Sequence, residues 1–200
     1  ENIVRATTRD AVPLPAGGLP WSGTFHSVAN RLLRHFAANL GLDPGFSVLD
    51  RGDAADMIDV VRHERKLTRT SRRFPKKDTC LAIYSRCVNT QQPLAATLEQ
   101  TYPWCIDWAD ELAELFRYYV ERKQQSQSLD YDDLLLYWSH LVAEAEFAEE
   151  IGGWFDHVLV DEYQDTNIVQ AEILNALKPD GRGVTVVGDD AQSIYSFRAA

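Results

Sequence analysis

Three carboxylates follow a short apolar run near the end of the chain. The segment FDHVLVDEYQDTN (155–167) carries Asp161, Glu162 and Asp165 within five residues. Carboxylates packed together at the end of a strand repel one another unless a positive group lies between them. A hydrated Mg²⁺ that carries nucleotide phosphates is such a group, and one acid can then serve the metal while its neighbour positions or deprotonates a water. The alternative is that the acids simply begin a solvated loop.

The elements around this acidic segment indicate a parallel sheet. Apolar runs at 155–160 and 184–187 predict two buried strands, and the spacing of 168–178 predicts a helix between them. Strand, helix and strand with continuous apolar strands are typical of parallel pairing. Ligands bind outside the carboxyl ends of such strands, where the acidic pair and Asp189 are expected to lie.

The remainder of the chain is mostly helical in pattern. Short strands are expected at 22–25 and 46–50. Asp50 or Asp53 is expected to cap the helix that runs to about Glu64, and Asp130 to cap a later one. Besides 168–178, helical periodicity covers 26–40, the segment up to 64, 78–88, 104–123 and 129–146.

Composition and charge exclude several classes of protein. The 200 residues are 45% hydrophobic, which is enough for a real core, and no apolar run approaches the roughly 20 residues of a membrane helix, so a cytoplasmic location is expected. Three cysteines without a CxxC pair indicate reduced core thiols. A chain that starts at Glu1, with Met57 as its only methionine, suggests a piece of a longer protein.

One basic segment stands out from this acidic composition. Residues 62–77 hold eight lysine and arginine residues against Glu64, a local charge of +7 that leaves −17 for the rest of a chain whose net charge is −10. The net charge argues against a protein that coats nucleic acid, because phosphate neutralisation supplies most non-specific affinity. The basic segment is either a local DNA contact or a solvated charged loop.

Four segments together resemble one family. They are VLVDEYQDTN (158–167), VVGDDAQSIYSFRAA (186–200), GTFHSVANRLLR (23–34) and LDYDDLL (129–135). This combination closely resembles the UvrD/Rep/PcrA group of superfamily 1 DNA helicases. The helical middle of the chain, with its FPKK and YSRCVN segments, is similar to the helical insertion of that group.

The resemblance implies an α/β fold: a partial RecA-like P-loop NTPase domain with a parallel sheet and a mostly α-helical inserted subdomain. Residues 1–49 would be part of the RecA-like ATPase domain, with the single-stranded DNA motif at 23–34. Residues 50–128 would form the helical insertion, and residues 129–200 the remainder of the ATPase domain, with motifs II and III.

The resemblance also implies an ATP–Mg²⁺ site. Asp161 would handle Mg²⁺ through water, and Glu162 would activate the hydrolytic water. Gln164 and Asp165 would link this site to its surroundings. Gln192 would sense the γ-phosphate. A further implied nucleotide-site residue, which couples the site to the DNA-binding face, is Arg198.

A second implied set of residues contacts DNA. Tyr195 and Phe197 would stack on bases, although ordinary core packing is the alternative for these aromatic residues. His26 is equally compatible with a core or capping role. The complete implied DNA-binding set is Thr24, Phe25, His26, Tyr195 and Phe197, with Arg69, Arg72, Arg73, Lys76 and Lys77 of the basic segment.

One expected motif is missing from the chain. The sequence contains no GxxxxGK[ST] loop and no Gly-Lys pair, although the backbone N–H groups and lysine of that loop hold the phosphates in nucleotide hydrolases of this type. These 200 residues alone are therefore expected to hydrolyse essentially no ATP. Because the P-loop strand would be absent, the sheet is expected to have an exposed apolar edge.

The implied function of the parent protein is ATP-dependent DNA unwinding or translocation, with 3′ to 5′ polarity, in repair, recombination or replication restart. ATP and Mg²⁺ are the implied cofactors. The implied partners are single-stranded and duplex DNA, with repair or recombination proteins. Three alternatives stay open: the motor part of a helicase-nuclease, a degenerate non-catalytic nucleic-acid-binding module, and a helical docking platform for other proteins.

Overall fold

Eight helices and two short strand pairs make up the part of the chain that the computed structural model describes, residues 21–67, 74–189 and 191. The helices are α1 Phe25–His35, α2 Arg51–Glu64, α3 Lys77–Thr90, α4 Leu94–Thr101, α5 Ala109–Gln125, α6 Tyr131–Ala143, α7 Ala145–Gly153 and α8 Ile168–Leu177. The strands are β1 Ser47–Val48, β2 Ser128–Leu129, β3 Val158–Val160 and β4 Val184–Val186. Two 3₁₀ helices cover Pro103–Trp108 and Tyr163–Asp165.

Both strand pairs are parallel. Ser47 pairs with Ser128 in β1–β2, and Val158 pairs with Val184 in β3–β4. Helix α8 connects β3 to β4, so the predicted strand–helix–strand unit is present. The predicted α/β class, a parallel arrangement with a mostly helical middle, is confirmed.

Side-chain caps explain where several helices begin. The carboxylate of Asp50 accepts a hydrogen bond from Asp53 N (2.9 Å) at the start of α2. Asp130 and Asp133 form a capping box at the start of α6. Asp50 and Asp130 are therefore confirmed as N-caps, whereas Asp53, the other candidate for α2, lies inside the helix. The predicted strand at 22–25 is wrong, because Thr24 Oγ1 accepts from Ser27 N (3.2 Å) and makes Thr24 the N-cap of α1.

The buried apolar side chains form two clusters. The first core consists of Ala29, Leu32, Leu33, Phe36, Phe46, Leu129, Leu134, Leu135, Trp138, Leu141, Val142, Ile151, Val169, Ile173 and Leu177. The second core consists of Ala54, Ala55, Ile58, Val61, Phe74, Cys80, Leu81, Ile83, Tyr84, Leu98, Cys105, Leu112, Leu115 and Tyr119. The first core thus takes its residues from both sides of the segment that builds the second. The domain boundaries predicted between 49 and 50 and between 128 and 129 stay a prediction.

The pair β3–β4 is less buried than its sequence indicates. Val160 is buried, but Leu159 and Val187 are each 59% exposed and Val186 is also exposed. The prediction of two buried strands is wrong for these three residues, because the described elements leave their side chains largely open to solvent. The expected exposed edge of the sheet stays a prediction.

Two further sequence expectations concern the cysteines and the membrane. Cys80 and Cys105 are buried free thiols of the second core, and Cys87 is a half-buried free thiol, which confirms reduced core cysteines. Among the helices of the described residues, none combines the length and apolar character needed to cross a membrane.

Candidate functional site

The acidic pair lies at the shared carboxyl end of β3 and β4. Asp161 and Glu162 directly follow β3, and Asp189 lies just beyond β4. The two strand-end loops are joined by a hydrogen bond from Tyr163 N to Val187 O (2.9 Å). Asp161, Glu162 and Asp189 are all exposed, so they need not be desolvated. We call this part of the structure, 161–165 with 187–189, the rim.

Glu162 has an unusual backbone conformation. Its φ of 55° places it in the left-handed region, where non-glycine residues are uncommon. Its N–H donates to Asp161 Oδ1 (3.0 Å), and it caps the 3₁₀ helix Tyr163–Asp165. Such a conformation costs on the order of 1–3 kcal/mol and persists only where the surroundings hold it, most often at functional sites.

Gln164 connects the two loops of the rim. Its Nε2 donates to Glu162 Oε2 (2.5 Å), and its Oε1 accepts from Asp189 N (3.0 Å). Gly188 leaves room for this side chain, because a Cβ at that position would lie 2.7 Å from Gln164 Oε1. The position of the Glu162 carboxylate therefore depends on β4 as well as on β3.

The donor set of the rim fits a Mg²⁺ ion that carries nucleotide phosphates. Asp161 and Glu162 offer exposed carboxylates, and Asp165 Oδ1 is buried without a hydrogen-bond partner among the described residues. No cluster of three or more His, Cys, Asp or Glu side chains that could hold a metal ion occurs within the described part of the chain. Mg²⁺ needs no such cluster, because it keeps several waters and binds through one or two carboxylates and substrate phosphates.

A separate cleft lies between α1 and α6. Its volume is about 320 Å³, and it is lined by Thr24, His26, Ser27, Asn30, Val48, Tyr131 and Leu134. The rings of His26 and Tyr131 meet edge to face, with centroids 5.4 Å apart. Burial lowers the pKa of His26, so its imidazole is neutral at pH 7. Tyr131 remains 46% exposed and presents an aromatic surface to solvent. We call this feature the cleft.

Two of the three residues predicted for single-stranded DNA meet in the cleft. Thr24 and His26 line it, whereas the Phe25 ring packs against Trp138 of the first core, with centroids 6.1 Å apart. Phe25 thus anchors α1, and this anchoring fixes the positions of its two neighbours. Whether any of the three contacts DNA stays a prediction.

Comparison with known proteins assigns the chain to a family. Residues 4–200 match the UvrD/REP helicase N-terminal domain. The chain belongs to the UvrD/REP helicase family. It is 31% identical over 183 residues to the ATP-dependent DNA helicase PcrA of Staphylococcus aureus (strain NCTC 8325 / PS 47). The aligned region covers 90% of this chain and 24% of that relative.

Two other relatives give the same picture. The ATP-dependent DNA helicase PcrA of Leuconostoc citreum is 33% identical over 184 residues, covering 90% of this chain and 23% of the relative. The protein of the same name from Bacillus subtilis (strain 168) is 31% identical over 181 residues, covering 90% and 24%. The chain therefore spans about a quarter of the length of these UvrD/REP helicase relatives.

Several predicted residues of this UvrD/REP helicase chain lie outside the described residues. They are Arg69, Arg72 and Arg73 of the basic segment and Gln192, Tyr195, Phe197 and Arg198 of motif III. Of the remaining two lysines, Lys76 is exposed at the N-cap of α3, and Lys77 forms an ion pair with Asp56. Lys77 is thus held against α2, and Lys76 projects from a helix start.

Sequence reasoning missed two groups of residues. Tyr131 was not assigned although it is the aromatic residue of LDYDDLL, and an aromatic residue at the first position of a helix was a usable signal. Asn89 and Asn167, described below, gave no such signal, because neither spacing nor periodicity relates them.

Proposed function

We propose that the whole protein is an ATP-dependent DNA helicase or translocase, a hydrolase that unwinds duplex DNA. The observation that carries this proposal is the rim, where the acidic pair of one parallel strand is tied through Gln164 to the loop after the next. The family of the chain and the names of its relatives support ATP and DNA as the substrates. The proposed direction, 3′ to 5′, rests on the family alone.

The two residues of the acidic pair have different roles in hydrolysis. Asp161, the exposed acid next to the strand, would hold Mg²⁺ through water. Glu162 accepts the proton of the attacking water, and Gln164 orients its carboxylate through the Nε2–Oε2 hydrogen bond. The bound Mg²⁺ supplies charge neutralisation on the phosphates. Gln192, as the sensor of the γ-phosphate, and Arg198, as the residue that couples the site to the DNA-binding face, complete the site in this proposal.

The cleft supplies part of the DNA contact. Its aromatic surface at Tyr131 offers a base-stacking platform, and stacking is worth about 1–3 kcal/mol per base. Neutral His26 and the Thr24 hydroxyl offer hydrogen bonds without adding charge. Tyr195 and Phe197 are proposed as further stacking residues, and the basic segment as the phosphate contact.

The test compares the full-length wild-type protein with Glu162→Gln, in phosphate release with and without single-stranded DNA. The amide keeps the size of the side chain but removes the base, so DNA-stimulated turnover is expected to fall roughly 10²- to 10⁴-fold. Glu172→Gln on the exposed surface of α8 is the matched control and should turn over at the wild-type rate. Equal rates for wild type and Glu162→Gln would contradict the catalytic role.

Two further outcomes test the non-catalytic alternative and the proposed polarity. A wild-type protein that binds DNA but releases no phosphate would favour the non-catalytic binding module. Unwinding of a duplex with a 3′ tail, but not one with a 5′ tail, would support the proposed polarity. The role in repair, recombination or replication restart and the cytoplasmic location are part of the proposal, as is the inactivity of these 200 residues on their own.

A further inference from the structure

A chain of side-chain hydrogen bonds runs from the segment after the rim to the helix that carries Tyr131. Asn167 Nδ2 donates to Asn89 Oδ1 on α3 (2.7 Å). Asn89 Nδ2 donates to Asp132 Oδ1 on α6 (2.9 Å). Asp132 directly follows Tyr131 in the first turn of α6. We call these three side chains, Asn167, Asn89 and Asp132, the relay.

Each amide of the relay has only one satisfactory orientation. An ionised Asp132 can only accept hydrogen bonds, so Asn89 must turn its NH₂ group towards it and its carbonyl oxygen towards Asn167. Asn167 must then donate its NH₂ group to Asn89, which leaves its Oδ1 to cap α8 by accepting from Gln170 N (2.9 Å). Turning any one amide by 180° breaks at least two of these bonds.

The charged form of Asp132 is the form that the relay supports. Burial raises the pKa of Asp132 and so opposes its ionisation, as does the neighbouring Asp130. Hydrogen bonds from Ser85 and Asn89 act in the opposite direction. Donors aimed at a buried carboxylate favour its ionised state. The relay is thus a set of half-buried polar groups that constrain one another.

The two ends of the relay lie next to the two candidate sites. At one end, Asn167 is two residues beyond Asp165, whose Oδ1 is unpartnered among the described residues. At the other end, Asp132 fixes the first turn of α6, where the Tyr131 ring meets His26 in the cleft. The relay therefore connects the segment 161–167 to the start of α6 through two hydrogen bonds, one on each side of Asn89.

We propose that the relay couples nucleotide occupancy of the rim to the position of Tyr131 in the cleft. This inference rests on the proposed function, since it needs a nucleotide at the rim and DNA at the cleft. The three residues are positioning residues and touch neither substrate. Coupling free energies between sites typically correspond to 5- to 150-fold changes in affinity, and the effect is reciprocal.

The test measures coupling in the full-length protein. Two readouts are used: the factor by which single-stranded DNA stimulates ATP hydrolysis, and the ratio of Kd values for a fluorescent oligonucleotide with and without a non-hydrolysable ATP analogue. In Asn89→Ala, the change in Kd that the analogue causes is expected to shrink at least about fivefold. The factor by which DNA stimulates hydrolysis is expected to fall with it. Thr90→Val is the matched control, because among the described residues the Thr90 hydroxyl bonds only to Arg86 O of its own helix (2.7 Å). It should retain wild-type coupling.

An exchange of the two partners tests the direction of the hydrogen bonds. Asn89→Asp alone sets two carboxylates against each other and should lose coupling. Combined with Asp132→Asn, it restores a donor to an acceptor and keeps an acceptor for Asn167, but Ser85 O loses the hydrogen bond from Asn89 Nδ2 (2.8 Å). The double variant should therefore be less stable than wild type, while its coupling should return to within about twofold of wild type, as expected for a specific pair. If Asn89→Ala does not fold, the double variant tests the relay in its place.

The outcomes separate the two proposals. Wild-type coupling in Asn89→Ala overturns the relay but leaves the proposed function intact. So does a double variant that is folded yet remains uncoupled. A wild-type protein whose hydrolysis is not stimulated by DNA overturns the proposed function, and the relay with it.

Discussion

Lys123 on α5 is the charged group whose removal should destabilise the protein most. Its side chain is 3% exposed, and Nζ lies 2.7 Å from Asp130 Oδ2 and 2.6 Å from Asp133 Oδ2. Tyr119 of the second core donates its hydroxyl to Asp130 Oδ2 (2.7 Å), while the two acids cap α6, which packs into the first core. Lys123 therefore neutralises two buried carboxylates at the junction of the cores.

Lys123→Met keeps the length of the side chain but leaves both carboxylates without a counter-charge. Removing one partner of a buried ion pair typically costs about 3–5 kcal/mol, because the remaining charge stays buried and uncompensated. The matched control is Lys77→Met, which removes a lysine from the solvent-exposed pair with Asp56. Exposed pairs contribute little to stability because solvent screens them, so the control should be nearly neutral.

Hydrogen exchange of the α5 and α6 amides measures this difference locally, whatever other domains the protein contains. A loss of about 3–5 kcal/mol corresponds to exchange faster by roughly 10²- to 10⁴-fold, since each 1.4 kcal/mol is a factor of ten. The Lys77→Met protein should stay within about tenfold of wild type. A Lys123→Met protein within the same tenfold would refute the claim that the cluster is held by its lysine.

The pH dependence gives an independent check on the same cluster. Burial raises the pKa of Asp133 to about 6, with a further rise from Asp130 and an opposing attraction from Lys123. For an acid with a raised folded pKa, the stabilising contribution is fully present below the unfolded pKa of about 3.9 and is lost as the pH rises through the folded pKa. Without Lys123 the pKa rises further. The loss of opening free energy in Lys123→Met, measured by hydrogen exchange and corrected for intrinsic exchange, should therefore be largest at pH 7 and shrink towards pH 5. A deficit that grew on acidification would contradict this assignment.

Three other predictions follow from single positions. Gly181 and Gly183 both have positive φ, but of the two only Gly183 has no room for a Cβ, which would clash with Asp156 O. Gly183→Ala should therefore lower the free energy of unfolding by about 1–3 kcal/mol more than Gly181→Ala in denaturant melts, and equal losses would discount the clash. Tyr131→Ala should weaken binding of single-stranded DNA by about 1–3 kcal/mol in anisotropy titrations while Tyr131→Phe retains it, and equal binding by both would remove the stacking role. Burial raises the pKa of the Cys80 thiol to about 12, so iodoacetamide at pH 8 should modify it only after unfolding, and rapid native labelling would show that the thiol is accessible.

Much of the local structure could be predicted because it depends on neighbouring residues. The caps at Asp50 and Asp130 use a side chain and an N–H three residues apart, so the sequence contains both partners. The strand expected at 22–25 failed for the same kind of reason, since the Thr24 hydroxyl bonds to Ser27 N and commits the segment to a helix. Helical periodicity indicates which face of a helix is apolar but not which distant element covers it. The exposure of Leu159 shows the same limit for strands.

In the candidate site, too, the features that depend on neighbouring elements could be predicted, and those that depend on distant elements could not. The rim was predictable, because the carboxyl ends of parallel strands joined by one helix must lie side by side. The cleft and the relay were not, because they depend on how helices pack. Asn89 and Asn167 are 78 positions apart, and their hydrogen bond exists only because α3 packs near the start of α8. The roles of the individual rim and cleft residues remain predictions.

The first turn of α6 explains why one short segment holds three aspartates. Acids at a helix N-terminus are favoured by the helix dipole, yet three of them within four residues would repel one another if they faced the same way. They face different partners instead: Asp130 and Asp133 bind Lys123 of α5, whereas Asp132 accepts from α3. Between them, Tyr131 turns towards α1. The first turn of α6 therefore contacts three other helices, and the aromatic ring in the cleft is part of that junction.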